Sequence, residues 1–112
     1  MDVAVLRELF RNLQLWKSVQ EAGGPDTLVG PDGKSYCLWD VTYLYDYIVP
    51  TLAKRQREAI ELHLIRGMKE SDAAIEMGIA PSNPIGIYSS AACRKIVRMI
   101  DEGLIPRFRA DV

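Results

Sequence analysis

Glycine and proline divide this chain of 112 residues into short segments. The stretches between them carry apolar residues at three-and-four spacing, which is typical of helices with one buried face. A chain of this length buries one core and not two, so its short helices must pack on one another. The pattern predicts a mainly α fold, a bundle of about five helices with a small N-terminal β-hairpin. The breaks fall at Gly23-Gly24-Pro25, Pro50, Gly67, Gly78 and Gly103.

The N-terminal half, residues 1–50, is predicted to be a helix, a hairpin and a second helix. Apolar spacing predicts one amphipathic helix over residues 3–20. The run "TLVGPDGKSYCLW" then places β-prone residues on both sides of Pro31-Asp32-Gly33, a turn signal. Such a ribbon is stable only on a helical surface, and Tyr36 and Trp39 are suited to burial there. We expect residues 1–50 to act as a buttress.

Two further helix starts are predicted from capping side chains. Asp40 is expected to cap a helix that Pro50 stops, and Thr51 to cap the next helix, which Gly67 closes. The three tyrosines of the first of these helices cannot all face inward, so at least one is exposed or lies at an interface. They are Tyr43, Tyr45 and Tyr47.

The remainder of the C-terminal half, residues 51–112, is predicted to hold two more helices. A short one starts near Ser71 and ends at Gly78. The last begins with Asn83 as cap and Pro84 as first helical residue, and it runs to Gly103. We expect the two halves to form one compact unit.

The charge of the chain is unevenly distributed. A net charge of −1 argues mildly against nucleic-acid binding, which clustered Lys and Arg drive. However, residues 1–50 carry −3 and residues 51–112 carry +2. From Met77 to Ile100 there is no Asp or Glu, whereas Arg94, Lys95 and Arg98 occur. A locally cationic surface is therefore predicted on the last helix.

The last two helices are spaced as a helix-turn-helix requires. Two helices that cross closely need a small residue at the contact and a glycine in the turn, and Ala74 and Gly78 occupy these places. Ile85 and Tyr88 would then lock the last helix onto the first. The opposite side suits a major groove, since Asn pairs with adenine and Arg reaches guanine or phosphate. It carries Asn83, Ile87, Ser90, Arg94 and Arg98.

Residues 51–100 resemble a known family, the C-terminal promoter-reading helix-turn-helix domain of bacterial sigma factors. The match runs without a gap from Leu52 to Ile79, and after it "APSNP" adds about one residue. The chain also looks like small helix-turn-helix proteins of actinobacterial phages, which share the "AGGPDTLVGPDG" kind of N-terminal half. The matching positions are Leu52, "RQREAI" from Arg55 to Ile60, Leu62, Gly67, Asp72-Ala73-Ala74 and Met77-Gly78-Ile79.

The pattern and the resemblance together imply a set of DNA contacts. Arg55 and Arg57 have an alternative, a solvated helix face paired with Glu58 and Glu61. Phe108, which lies between Arg107 and Arg109 in the sequence, is expected to pack in the core. The primary candidates are Lys69, Ser71, Ser82, Asn83, Ile87, Ser89, Ser90, Arg94, Lys95 and Arg98. The secondary basic candidates are Lys54, Arg55, Arg57, Arg107 and Arg109.

Motifs for catalysis, metals and membranes are missing from the sequence. One histidine, His63, and two scattered cysteines, Cys37 and Cys93, cannot fill a zinc site. We expect both cysteines to be reduced, and Cys93 to be a small buried hydrophobe rather than a thiol with a lowered pKa. No glycine loop for phosphate occurs. We therefore expect no enzymatic activity, no cofactor and no membrane span, and a location in the cytoplasm, the host's if a phage encodes the chain.

The leading hypothesis is a double-stranded DNA-binding protein, a transcriptional regulator with its last helix in the major groove. One alternative is an interaction module that binds RNA polymerase or a sigma factor, with an exposed Tyr and Ile87 as anchors. Another is a phage DNA-packaging or recombination accessory protein. A homodimer is compatible with each of these.

Overall fold

The computed structural model describes residues 1–105, and this part of the chain is mainly helical, as predicted, with one small antiparallel sheet. The first elements are α1 (Val3–Arg11), α2 (Leu13–Glu21), β1 (Thr27–Val29), β2 (Ser35–Cys37) and α3 (Leu38–Tyr43). A π-helical turn (Leu44–Ile48) and a 3₁₀ turn (Val49–Thr51) extend α3. Then come α4 (Lys54–Ala59) with its π-helical extension (Ile60–Ile65), α5 (Glu70–Glu76) and α6 (Ile85–Asp101). Within residues 1–105, no helix has the length and apolar character needed to cross a membrane.

Asn12 interrupts the single helix predicted for residues 3–20, so that α1 and α2 are separate. Its backbone lies near φ −98° and ψ 11°, and its side-chain amide donates to the Glu8 carbonyl at 2.9 Å. Local side-chain bonds of this kind compete with the helical ladder. The prediction of one unbroken helix is wrong, but the apolar stripe crosses the break. Its buried members are Leu6, Leu9, Phe10, Leu13 and Trp16.

The predicted hairpin forms between β1 and β2, with Leu28 opposite Tyr36. Tyr36 is buried, and its hydroxyl donates to Asp32 at 2.7 Å, which ties the strand to the turn. Trp39, by contrast, is 57% exposed, against our expectation of burial. The reason is helical register, because α3 turns Leu38 and its neighbours of the same face toward the core and leaves Trp39 outside.

The capping predictions for Asp40 and Thr51 are wrong. Strand β2 runs directly into α3, so the helix begins at Leu38 and Asp40 falls in its first turn. Pro50 does not end the segment at once, because a 3₁₀ turn continues through Thr51. The Thr51 hydroxyl donates to the Ile48 carbonyl at 2.7 Å, so it closes this turn instead of capping the next helix.

The main core cluster draws on both halves of the chain. Its members come mainly from α1, α2, β2 and α3 on one side and from the π-helical extension of α4 and from α6 on the other. A second, smaller cluster holds α5 against α4 and α6. The buried members of this second cluster are Ala59, Ala73, Ala74, Met77 and Ile85.

Candidate nucleic-acid interface

Helix α5 ends in a tight turn at Gly78, the glycine predicted for this place. The Ile79 amide donates to the Ala74 carbonyl and the Gly78 amide donates to the Ile75 carbonyl, both at 3.0 Å. This pair of bonds is the Schellman ending, which requires a left-handed residue, and Gly78 supplies it with φ +73°. The turn sends the chain back toward α6.

Small side chains let α6 approach α5 closely. Ala73 and Ala74 are fully buried, and Ile85 packs in the same cluster with no exposed surface. Tyr88, one turn further, lies partly buried against that cluster. The residues expected to join the two helices therefore lie together, and the first turn of α6 is held by apolar contact.

The side of α6 away from the core carries a cationic stripe, which we define as Ile87, Arg94, Lys95 and Arg98. All four side chains are exposed, with Ile87 at 62%. Their spacing along the helix places them on one face. None of the ion pairs described within residues 1–105 uses Arg94, Lys95 or Arg98. The stripe therefore offers three cations whose charge is available to a partner.

Ser89 lies on the buried side of α6, which corrects the expectation that it meets DNA, whereas Ser90, three residues after Ile87 and four before Arg94, lies at the edge of the stripe. Ser89 is fully buried and Ser90 is half-buried. Arg7 of α1 donates from Nη1 to the Ser89 hydroxyl at 3.0 Å and to the Ser90 hydroxyl at 2.7 Å. These two serines fasten α1 to α6. The prediction for Ser89 failed because it took no account of α1, which covers this side of α6.

Glu70 brings a carboxylate to the start of α6, where the sequence predicted no acidic group. The Gly86 amide donates to Glu70 Oε1 at 2.5 Å. A Cβ at position 86 would lie 2.6 Å from the same oxygen, so any larger residue here would have to displace the Glu70 carboxylate. Since 16 residues separate the partners in sequence, no local pattern reveals the contact. The exposed side of α5 adds Asp72 and Glu76.

The turn before α6 differs from prediction by one residue. The helix begins at Ile85, and Pro84 precedes it at φ −80° and ψ 85° instead of being its first residue. Asn83 is half-buried and donates from Nδ2 to the Ala80 carbonyl at 3.2 Å, so it does not cap α6. Its amide is engaged within the turn. Ser82 remains exposed beside it.

Among the other basic candidates, Arg55 has a structural contact. It donates from Nη1 to the Met77 carbonyl at 2.6 Å, which satisfies a carbonyl at the end of α5. The alternative paired Arg55 and Arg57 with glutamates, among them Glu61. In the described contacts, the Glu61 carboxylate instead lies 3.7 Å from Arg66 Nε and accepts a hydrogen bond from the Tyr45 hydroxyl. Exposed candidates on the flanks are Lys54, Arg57, Lys69 and Ser71. Arg107, Phe108 and Arg109 lie outside the described residues.

Cys93 and His63 both have structural surroundings. Cys93 is fully buried, and burial raises its thiol pKa to about 11, which contradicts the alternative of a lowered pKa. His63 Nδ1 lies 2.9 Å from the Met68 carbonyl. Within residues 1–105, no three His, Cys, Asp or Glu side chains are grouped to hold a metal ion.

Comparison with protein-family models, curated proteins and solved structures gives no match to this chain. The chemistry of the cationic stripe is therefore the ground for a functional proposal. Guanidinium groups donate to phosphate oxygens or to guanine, an ammonium pairs with phosphate, and an exposed Ile covers a thymine methyl. These groups stand on a helix that packs against α1, α4 and α5.

Proposed function

We propose that the chain binds double-stranded DNA through a helix-turn-helix formed by α5 and α6, and that it regulates transcription. The observation that carries this proposal is the cationic stripe, which is exposed and unpaired among the described ion pairs. Helix α6 has 17 residues and is therefore roughly 25 Å long, enough to lie along a major groove. The resemblance to the promoter-reading domain of sigma factors supports the same function.

The position of Glu70 determines which part of α6 lies deepest in the groove. Many recognition helices contact bases with their N-terminal residues. Here a carboxylate bonded to Gly86 repels phosphates from that end. Arg94, Lys95 and Arg98 lie in the middle and C-terminal part of the helix, and we place the phosphate contacts there. Ile87 is the candidate for apolar contact with a base.

The flanking contacts come from residues outside α6. Lys69 and Ser71 are exposed at the start of α5, Ser82 is exposed in the turn, and Lys54 and Arg57 are exposed on α4. Each could reach a phosphate next to the groove without base specificity. The proposed place of action is the cytoplasm, the host's if a phage encodes the chain.

Selection of bound duplexes from a random pool, followed by fluorescence anisotropy with the selected duplex, tests this function. We expect binding that weakens steeply with salt. In the double variant Arg94→Gln with Arg98→Gln, the slope of log affinity against log salt should fall by about 2, roughly 1 per lost phosphate contact. The matched control, Arg11→Gln with Lys34→Gln, removes the same charge from exposed positions in the N-terminal half.

Two results would contradict the proposal. One is the absence of duplex binding even at low salt. The other is an equal loss of affinity in the stripe variant and in the matched control, because net charge alone would then explain the binding.

A second candidate, a module that binds RNA polymerase or a sigma factor, is favoured by two exposed apolar side chains. Ile75 on α5 is 61% exposed and Ile87 on α6 is 62% exposed, and such side chains anchor protein partners. A pull-down from nuclease-treated host lysate separates the two functions. Retention of one stoichiometric protein, lost in Ile75→Asp, favours this candidate. A DNA-packaging or recombination role would use the same surface, and a ring-like oligomer found by sedimentation would point to it.

A further inference from the structure

A groove between α2 and α3 with its π-helical extension has aromatic walls and an acidic rim. Its volume is about 490 Å³, within the usual range of ligand-binding clefts. We call it the aromatic groove. Its walls are Trp39, Tyr43 and Tyr47, and its rim is Gln20, Glu21 and Asp46.

The aromatic side chains line one wall of the groove. They recur every fourth residue, so they lie on one helical face. Trp39 is 57% exposed and Tyr47 is 64% exposed. The rings of Tyr43 and Tyr47 lie with centroids 4.9 Å apart and planes tilted by 30°. Large exposed rings that support one another beside a groove are typical of a binding surface.

Within residues 1–105, the charged side chains that line the aromatic groove are both acidic, Glu21 and Asp46. Glu21 is exposed, and none of the ion pairs described for residues 1–105 uses it. Asp46 Oδ1 accepts from Lys17 Nζ at 3.0 Å. Residues 1–50 as a whole carry a net charge of −3. The surface therefore attracts cations and repels the phosphates of nucleic acid.

A cation bound by a ring and a carboxylate already exists beside the groove. Lys17 Nζ lies 4.9 Å from the centroid of the Tyr45 ring and 3.0 Å from Asp46 Oδ1. The aromatic groove offers the same two kinds of partner, rings and a carboxylate, to a cation from another molecule. A guanidinium suits this arrangement better than an ammonium, because it is planar, stacks on rings and donates two parallel bonds to a carboxylate.

We propose that the aromatic groove binds an arginine-bearing segment of a partner protein. A guanidinium stacks on Trp39 or Tyr47 and donates to the Glu21 carboxylate, while apolar side chains of the segment cover the remaining ring surface. No residue of α6 lines the groove. The inference therefore goes beyond DNA binding and does not depend on it.

Binding of a labelled peptide, measured by fluorescence polarisation, tests this inference. The probe is a capped decapeptide of alternating arginine and leucine. Its comparison peptide carries citrulline, which keeps the shape of arginine without its charge. We expect the arginine peptide to bind saturably at one site and the citrulline peptide to bind at least tenfold more weakly. Sodium chloride should weaken binding of the arginine peptide.

Substitutions locate the site. Trp39→Ala should weaken binding at least tenfold, Trp39→Phe less, and Glu21→Gln severalfold. Two matched controls, Leu15→Ala and Glu76→Gln, change exposed side chains that do not line the groove and should leave binding unchanged. The altered side chains in the groove are exposed, so the variants should keep the helical circular dichroism of the parent.

Several outcomes would overturn the inference. They are equal binding of the two peptides, no binding at millimolar peptide, or Trp39→Ala and Glu21→Gln behaving like the controls. Self-association that Trp39→Ala abolishes in sedimentation would instead assign the groove to a second copy of the chain. The double variant Arg94→Gln with Arg98→Gln should lose DNA binding and keep peptide binding. This result would show that the aromatic groove binds its peptide independently of the DNA-binding surface.

Discussion

Ile85 and Ile87 give a matched pair for testing how α6 packs on α5. Both lie in the first turn of α6, but Ile85 has no exposed surface and Ile87 is 62% exposed. Replacing each by alanine changes helix propensity by the same amount. The difference between the two losses of unfolding free energy therefore measures how much the packing of Ile85 stabilises the fold.

The expected magnitude follows from the neighbours of Ile85. Three of the other four buried residues in its cluster are alanines, and their short side chains cannot move into the space that Ile85→Ala leaves. Core substitutions of this kind cost about 2–5 kcal/mol, and a site that cannot collapse lies in the upper half, about 4 kcal/mol. For Ile87→Ala we expect less than about 0.5 kcal/mol. A 112-residue chain has a free energy of unfolding of roughly 6–17 kcal/mol, so Ile85→Ala should remain folded.

Urea unfolding, followed by circular dichroism and by the fluorescence of the buried Trp16, measures both losses. A difference below about 1 kcal/mol between the two variants would refute the described packing of α6 on α5. If Ile85→Ala does not fold, Ile85→Val replaces it in the test, with an expected loss of unfolding free energy of about 0.5–1.5 kcal/mol.

Three further predictions concern polar groups. Glu70→Ala removes the carboxylate bonded to the Gly86 amide; unfolding free energy should fall by about 0.5–2 kcal/mol in urea, while DNA affinity in anisotropy should rise. Burial raises the pKa of Tyr45 from 10.0 to about 12, so stability should fall between these pH values as the unfolded state releases a proton that the folded state keeps. Tyr45→Phe should reduce this slope in urea unfolding at alkaline pH. Cys93, with a pKa raised to about 11 by burial, should react with an aromatic disulfide at pH 8 more slowly than Cys37, until denaturant exposes it.

The sequence predicted the features of the fold that depend on neighbouring residues. Gly67, Gly78 and Gly103 all adopt positive φ beside the helix ends expected there, and the hairpin forms around its predicted turn. The conformational freedom of glycine is a property of the residue itself, so these helix ends can be predicted directly from the sequence. The exposure of Arg94 and Arg98 likewise followed from helical periodicity.

The errors in the sequence-based predictions concern side chains that could bond to more than one partner. Thr51 and Asn83 have the right chemistry to cap a helix, but each donates to a carbonyl of the preceding turn. Ser89 was placed on the wrong side because its partner, Arg7, lies 82 residues away in sequence. The contact of Glu70 with Gly86 is also nonlocal. Periodicity orders residues around a helix, but it does not say which other helix covers each face.

The shared core limits how this chain can be dissected. A fragment that starts at residue 51 would lose the α1 side chains that pack in one cluster with Ala92, Cys93 and Ile96 of α6. It would also lose the guanidinium of Arg7 that bridges to α6. Such a fragment would expose an apolar strip along α6, and we expect it to aggregate. A chimaera or minimal binder built from the C-terminal half must therefore be supplied with α1.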